Sequence, residues 1–371
     1  MDISLYVHIP FCKKKCRYCD FVSLNSSDEF IERYLRALEA ETVARSKEYK
    51  NAKIKTLYFG GGTPSLLTAR QFLRISDAIK NNFDIDLVET TVECNPESVS
   101  EEKLIAYKDA GVDRISVGVQ SLDNGILRFL GRIHDREAAI TAVKLAVKYF
   151  DNVSCDLIIG VPGESVFSVL NSVDVLCDEG ITHISAYGLK IEEGTVLYDM
   201  QTAGIFETDD DFAADVYDAV CDRLRDKGFH RYEISNFAKE GFESAHNKCY
   251  WKRTPYLGLG AAAYSFDGFS RFNNTENVTL YAEKLESGIL AEENRATLSK
   301  EDAMTETVML SLRTEEGLDV KSFNEKFGCD FMRDKAEALE KNRKFLQIEN
   351  NNIKLNKEYY YISNSIISDL I

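Results

Sequence analysis

Short runs rich in β-branched and apolar residues recur along the first half of the chain, at Ile3–His8, Ile54–Phe59, Val88–Glu93, Arg114–Val119, Val153–Ile158 and His183–Tyr187. Each is short enough to be a strand and is followed by text of helical period. Phe30–Lys47 places Ile31, Tyr34, Leu35, Leu38 and Val43 at helical spacing, Glu101–Ala110 stops at Gly111, and Arg136–Tyr149 is a further amphipathic run. Six β-then-α units predict parallel strands joined by right-handed crossovers. An open doubly wound sheet and a TIM-type barrel that stops short of eight units both accommodate this order. In either, the loops leaving the C-terminal ends of the strands build the active site.

Three segments are expected. Residues 1–229 form the β/α series. Residues 230–293 form an aromatic and glycine-rich connecting segment, which runs through Tyr264. Residues 294–371 form a small α/β lobe with helices at Lys300–Leu312 and Asp330–Asn342 and a hairpin at Ile348–Leu355. No internal repeat or low-complexity tract interrupts them.

Charge narrows the function classes. The 371 residues carry 61 acidic and 45 basic side chains, a formal net charge of -16, which argues against a nucleic-acid binder because such proteins need basic surface to displace counterions from phosphates. No run approaches the ~20 apolar residues of a membrane span, and MDISLYVHIPFC lacks the basic start and apolar stretch of a secretory signal. A cytoplasmic protein is expected. Nine cysteines, an odd number, fit reduced thiols better than a disulfide framework.

Three of those cysteines crowd together. Cys12, Cys16 and Cys19 are spaced C-x3-C-x2-C directly after the first strand. Three thiolates on one loop suit three irons of a cubane and leave the fourth iron open for a ligand. A zinc site completed by His8, a redox pair of Cys16 and Cys19, and cysteines packed as small hydrophobes are the alternatives. The redox pair leaves Cys12 without a role. Lys13, Lys14, Lys15 and Arg17 make the loop basic, which favours the thiolate form. After the second strand, Gly60, Gly61 and Gly62 let backbone approach a ligand closely, and Thr63 adds a donor. Gly258-Leu-Gly-Ala-Ala-Ala263 matches G-x-G-x-x-A without the strand-turn-helix context of a dinucleotide site.

With this cysteine spacing, GGGTP at Gly60–Pro64, ECNPE at Glu93–Glu97, GVQS at Gly118–Ser121, LGR at Leu130–Arg132 and DLIIGVPGE at Asp156–Glu164, the sequence resembles the coproporphyrinogen III oxidase-like branch of the radical S-adenosylmethionine superfamily. YEISNFAKEG, HNKCYW and YLGLGAAAYS look most like the haem chaperones of that branch, the HemW type. The resemblance implies a partial (β/α)6 barrel with a small C-terminal α/β lobe, a [4Fe-4S] cluster on Cys12, Cys16 and Cys19, and S-adenosylmethionine chelating the open iron. It assigns nucleotide contacts to Tyr6, Tyr18, Gly61, Gly62, Thr63, Glu93, Gln120, Arg132 and Asp156, with Arg132 the natural partner of the methionyl carboxylate.

Oxidase-type members carry a further cysteine two positions after the third cluster ligand and an extension before the motif. Here that position is Phe21, and eleven residues precede Cys12. Both departures favour a haem carrier over oxygen-independent coproporphyrinogen III oxidase, so no catalytic residue is assigned. A non-catalytic zinc protein is the remaining alternative. HNKCYW resembles the HNxxYW pattern of the chaperone group, which makes His246 the expected haem-iron ligand, with Tyr250 and Trp251 against the porphyrin face. An aromatic-rich core segment with a hydrogen-bonded histidine is the ordinary reading of the same residues. Expected partners are haem, a haem-acceptor protein, a reductant such as flavodoxin or ferredoxin, and a second copy in a homodimer.

Overall fold

The computed structural model describes residues 1–371. The β/α series is β1 (Asp2–Ile9), α1 (Asp28–Glu48), β2 (Lys53–Gly61), α2 (Ala69–Asn82), β3 (Asp84–Cys94), α3 (Glu101–Asp109), β4 (Arg114–Gln120), α4 (Asn124–Leu130), α5 (Arg136–Tyr149), β5 (Asn152–Ile159), α6 (Val166–Asp178), β6 (His183–Gly188), α7 (Val196–Thr202) and α8 (Asp210–Asp226). All six expected strands form. They lie side by side in chain order and pair in parallel, with no reversal of the order. A doubly wound sheet requires such a reversal at its switch point. The sequential order is that of a six-unit partial barrel.

The alternation of residues along each strand explains the curvature. Leu57, Phe59, Val92, Ile115, Val117, Val153, Cys155, Leu157 and Ile184 are buried on one face against the helices in a single apolar core. Their neighbours Tyr58, Glu93, Arg114, Ser116, Asp156 and Ser185 face a common cavity. One face is thus apolar and covered, and the other is polar and encloses space. A period of two on every strand, in register across the sheet, requires this division.

The next segment adds to both edges of the sheet. β7 (His230–Arg231) and β8 (Asn236–Ala238) extend it beyond β6, and β8 runs antiparallel to β6. α9 (Ala245–Trp251) follows, then β9 (Tyr256–Leu259), β10 (Tyr264–Phe266), β11 (Ser270–Asn274), α10 (Val278–Glu286) and β12 (Glu292–Thr297). β9 pairs in parallel with β1, and β10 to β12 continue outward, giving twelve strands in all. Gly258 is required there because a Cβ would meet the Tyr264 carbonyl oxygen at 2.3 Å. The strands of this segment are only two to six residues long, so no sequence period announces them.

The last part has its own core of Val308, Leu312, Phe323, Phe327, Ile353, Ile366 and neighbours. It comprises α11 (Lys300–Ser311), β13 (Leu318–Asp319), α12 (Val320–Phe327), α13 (Phe331–Asp334), α14 (Ala336–Lys341), β14 (Leu346–Glu349), β15 (Asn352–Leu355) and α15 (Ser363–Leu370), with a three-stranded antiparallel sheet. The single helix expected over Asp330–Asn342 is two short ones. Lys335, at φ -115° and ψ 18°, leaves helical geometry and breaks it. No helix in the chain is long and apolar enough to cross a membrane.

Candidate functional site

The cysteine loop is tied down along its length. Cys12 N donates to Leu24 O (3.0 Å) and Leu24 N to Pro10 O (2.9 Å), closing its base. In the middle, Arg17 N donates to Leu130 O (3.0 Å), and Arg17 O accepts from Leu197 N (2.9 Å). Arg17 itself lies on Gly131, where a Cβ would come within 2.9 Å of its Cγ. Its guanidinium also donates to Phe129 O at 3.4 Å, fastening the loop to α4, and Lys13, Lys14 and Lys15 are exposed. Burial, not the lysines, dominates at Cys12 and Cys19: it raises the first thiol and pushes the second up to about 11.

All three thiols face one cavity of about 520 Å³, a size typical of small-molecule sites. Tyr18, Gly61, Gly62, Thr63, Glu93, Gln120, Arg132 and Asp156 line it as well, drawn from the C-terminal halves of four strands and the loops beyond them. The structure thus brings together eleven of the thirteen residues singled out from sequence. Tyr6 and His246 are not among the lining residues.

The glycine run is sterically obligatory. Gly61 has φ 112°, and its missing Cβ would lie 2.6 Å from His8 Cε1, while a Cβ on Gly62 would lie 2.8 Å from the backbone N and O of Phe11. The run therefore lets β2 pass against the root of the cysteine loop. Thr63 is 2% exposed, and its hydroxyl lies 3.4 Å from Cys12 Sγ and accepts from Asn95 Nδ2 at 2.8 Å. It joins the cysteine loop to the loop after β3.

Asn95, which the sequence reading quoted only within ECNPE, is the other half of that joint. Its Oδ1 accepts from Arg132 Nη2 at 2.7 Å, and the same nitrogen donates to Gly118 O at 2.9 Å. Arg132 Nη1 lies 3.5 Å from both Cys16 Sγ and the Tyr18 hydroxyl. Its buried Nε has no partner. Gln120 ends β4 at φ 65°, in the left-handed region where a non-glycine residue is unusual, and its side chain lines the cavity.

The acids are graded by their surroundings. Glu93 accepts from the Tyr58 hydroxyl (2.7 Å) and from Gly61 N (3.2 Å); burial, aided by the Asp156 charge, holds its carboxyl up at about 7. Asp156 is also raised by burial, against hydrogen bonds from Ser185 and Ser116 that lower it. Glu93 is consequently poised between its charged and neutral forms near neutral pH.

Tyr6 is half-buried beside Tyr58, and its hydroxyl lies 3.1 Å from His8 Nδ1. His8 Nε2 meets the Val22 carbonyl at 3.0 Å, so Nε2 carries the proton and Nδ1 accepts from Tyr6. Both nitrogens of His8 are taken, and zinc completed by this ring has no free fourth ligand. His246 is 1% exposed at the start of α9. Its Nδ1 lies 2.8 Å from Thr56 Oγ1, its Nε2 lies 2.9 Å from the Tyr250 hydroxyl, and its ring stacks on Tyr58. Thr56 donates to Ser4, so His246 Nδ1–H donates to Thr56 and Nε2 accepts from Tyr250. Burial drives this imidazole down to about 3 and keeps it neutral. In this structure His246 is a fully engaged side chain that pins α9 to β2.

Glu89 completes that anchorage. Buried on β3, it accepts from Ala245 N (2.8 Å), His246 N (3.0 Å) and Ser244 Oγ (3.1 Å), capping the free N–H groups at the start of α9. In consequence α9 presents Asn247, the next residue, to the cavity.

Comparison with known proteins places this site in a family. Residues 6–176 match the model of the radical SAM superfamily, and residues 298–358 match that of the HemN C-terminal domain. The chain is 33% identical over 375 residues to the haem chaperone HemW of Lactococcus lactis, which covers 99% of this chain and 97% of that one. It is 35% identical over 329 residues to HemW of Bacillus subtilis, covering 88% and 87%. The coproporphyrinogen III oxidase HemN of Escherichia coli, a radical SAM enzyme, shares the fold at a TM-score of 0.87 over 99% of this chain and 89% of its own, with 22% identity. Radical SAM membership implies a [4Fe-4S] cluster and S-adenosylmethionine. Similarity that runs nearly end to end with curated haem chaperones establishes that the chain belongs to the HemW family of radical SAM proteins.

Proposed function

We propose that this protein binds haem and delivers it to an acceptor protein in the cytoplasm, as a chaperone rather than a porphyrinogen oxidase. The observation that carries the reading is the near full-length similarity to proteins named haem chaperones. Phe21 supports it: this position, where oxidase-type members carry a further cysteine, holds an exposed aromatic ring at the cavity.

The donor set fits an iron–sulfur cluster and a zwitterionic nucleotide. Three half-buried thiols, none in a disulfide, face one cavity, and the orphaned Nε of Arg132 lies at the same end. Cys12, Cys16 and Cys19 would hold the cluster. When bound, the cluster supplies an electron and an open iron to which S-adenosylmethionine attaches. Glu93 would receive the amino group of the nucleotide, Arg132 its carboxylate, and Asp156 with Gln120 the polar groups of the nucleoside. Thr63 and Asn95 keep the thiol loop and Arg132 in fixed relation.

Glu93 gives this arrangement a pH signature. Its carboxyl is neutral below about 7 and ionised above, and only the ionised form attracts the cationic nucleotide. Affinity for S-adenosylmethionine is expected to fall as the pH drops below about 7, approaching about tenfold per unit once Glu93 is mostly neutral. Glu93→Gln should bind more weakly at pH 8 and lose this slope. Calorimetric titration of cluster-loaded protein between pH 6 and 8 checks both; an unchanged slope in the variant would remove Glu93 from the nucleotide site.

The reading itself is tested by titrating haem into anaerobic, cluster-loaded protein. A saturable change in the haem absorption near one equivalent is expected, and linear, non-saturating behaviour would reject it. A reductant of flavodoxin or ferredoxin type and a homodimer complete the proposal.

A further inference from the structure

The cavity contains a buried cation for which the nucleotide arrangement has no use. Arg114, the first residue of β4, lines the cavity at 1% exposure. Its Nε has no partner, and its guanidinium is surrounded by charge without donating a hydrogen bond to any protein group. The carboxylates whose charge reaches it are directed elsewhere: Glu89 is taken up by the start of α9, and Asp156 by Ser116 and Ser185. Tyr58, also within reach, donates to Glu93. A planar fork of donors buried without acceptors is suited to a carboxylate supplied by a ligand.

Its depth separates it from the thiol end. Arg114 stands in register with Thr91, Tyr58 and Tyr6, three residues before the end of β1 and therefore ~10 Å of strand below the cysteine loop. Arg132 serves the thiol end, where it meets Cys16 and Tyr18. Asn247 lines the same cavity, and its hydrogen bond to Ser244 is made by the backbone N–H, leaving the carboxamide available.

We propose that Arg114, assisted by Asn247, receives a carboxylate arm of the tetrapyrrole, one of its propionates, inside the barrel. This rests on the haem-binding reading above. It also gives α9 a purpose, since Glu89 and His246 hold the helix in the position that brings Asn247 to the cavity.

The test compares haem with its dimethyl ester, which lacks free carboxylates, on anaerobic cluster-loaded full-length protein. S-adenosylmethionine affinity and thermal unfolding are measured in parallel. Wild type is expected to prefer haem over the ester by about tenfold or more. Arg114→Gln should abolish that preference; because the Arg114 charge helps keep Glu93 and Asp156 ionised, nucleotide affinity is compared at pH 8, where it should fall by less than about threefold. Arg114→Lys, which keeps the charge and loses the fork, should retain only part of it and decides the matter if the glutamine variant does not fold. A variant that keeps the full preference overturns the proposal. So does one that keeps the preference but loses nucleotide affinity, which would assign Arg114 to the methionyl carboxylate. If wild type binds neither haem nor ester, the haem reading fails and takes this one with it. A merely structural Arg114 would shift the unfolding temperature without touching the ester preference.

Discussion

Cys16→Ala is expected to abolish the brown colour and broad visible absorption of anaerobically reconstituted protein, and with them the binding of S-adenosylmethionine. Cys16 is half-buried, lies on a loop fastened by backbone hydrogen bonds, and has Arg132 Nη1 3.5 Å from its sulfur. Loss of one of three thiolates leaves a second iron without a protein ligand, which a cubane does not tolerate as a stable state. The fold should survive, because Arg17 and Cys12 keep their backbone anchors to Leu130 and Leu24. Iron and sulfide analysis together with far-ultraviolet circular dichroism separates the two effects. Retention of full iron content in the variant would show that Cys16 is not a ligand; a colourless wild type containing zinc would show that the centre is not iron–sulfur.

Glu41→Ala should produce the largest loss of stability, at a place remote from the cysteine loop. Glu41 is completely buried in α1 and accepts from the Tyr281 hydroxyl (2.6 Å), Asn274 Nδ2 (2.6 Å) and Gly260 N (2.8 Å). It thereby binds α10, β11 and the turn after β9 to α1. Arg45, one helical turn on and also buried, approaches it at 4.0 Å and spreads its charge to Glu48 and Glu292. Alanine leaves three buried donors without their acceptor and removes one of the three carboxylates around Arg45, at a cost of about 3–5 kcal/mol. The midpoint of thermal unfolding should fall by roughly 4–8 °C, and Glu41→Gln should lose less because it retains an acceptor. A shift in the alanine variant of no more than about 1 °C would mean that these hydrogen bonds carry little net stability.

The fold was legible where local pattern and burial coincide. Leu5, Leu57 and Ile115 alternate with polar neighbours on strands covered by helices on one side, and that alternation is written in consecutive residues. The β9-to-β12 extension was not legible, because its strands are too short to show a period and depend on pairing with β1. The cavity residues carried by motifs, such as Cys12, Gly62, Glu93 and Gln120, were identifiable because each motif sits at a strand end.

The surroundings of His246 were not legible in its motif. HNKCYW marks the segment, but the neighbours that occupy its ring are Thr56 and Tyr250, and Glu89 holds its backbone. Thr56 and Glu89 are distant in sequence, and nothing local to the motif shows that they arrive there. Arg114 had one signal, a charge at the start of the apolar run RISVGV, but its lack of hydrogen-bond partners is a property of the folded interior alone.

The most direct test of a carrier built on this scaffold is a side-by-side assay of one anaerobic, cluster-loaded sample supplied with S-adenosylmethionine and a reductant. The account predicts saturable haem binding and no turnover of coproporphyrinogen III to protoporphyrinogen IX. Repeated turnover of the porphyrinogen would contradict it and make the protein an oxidase.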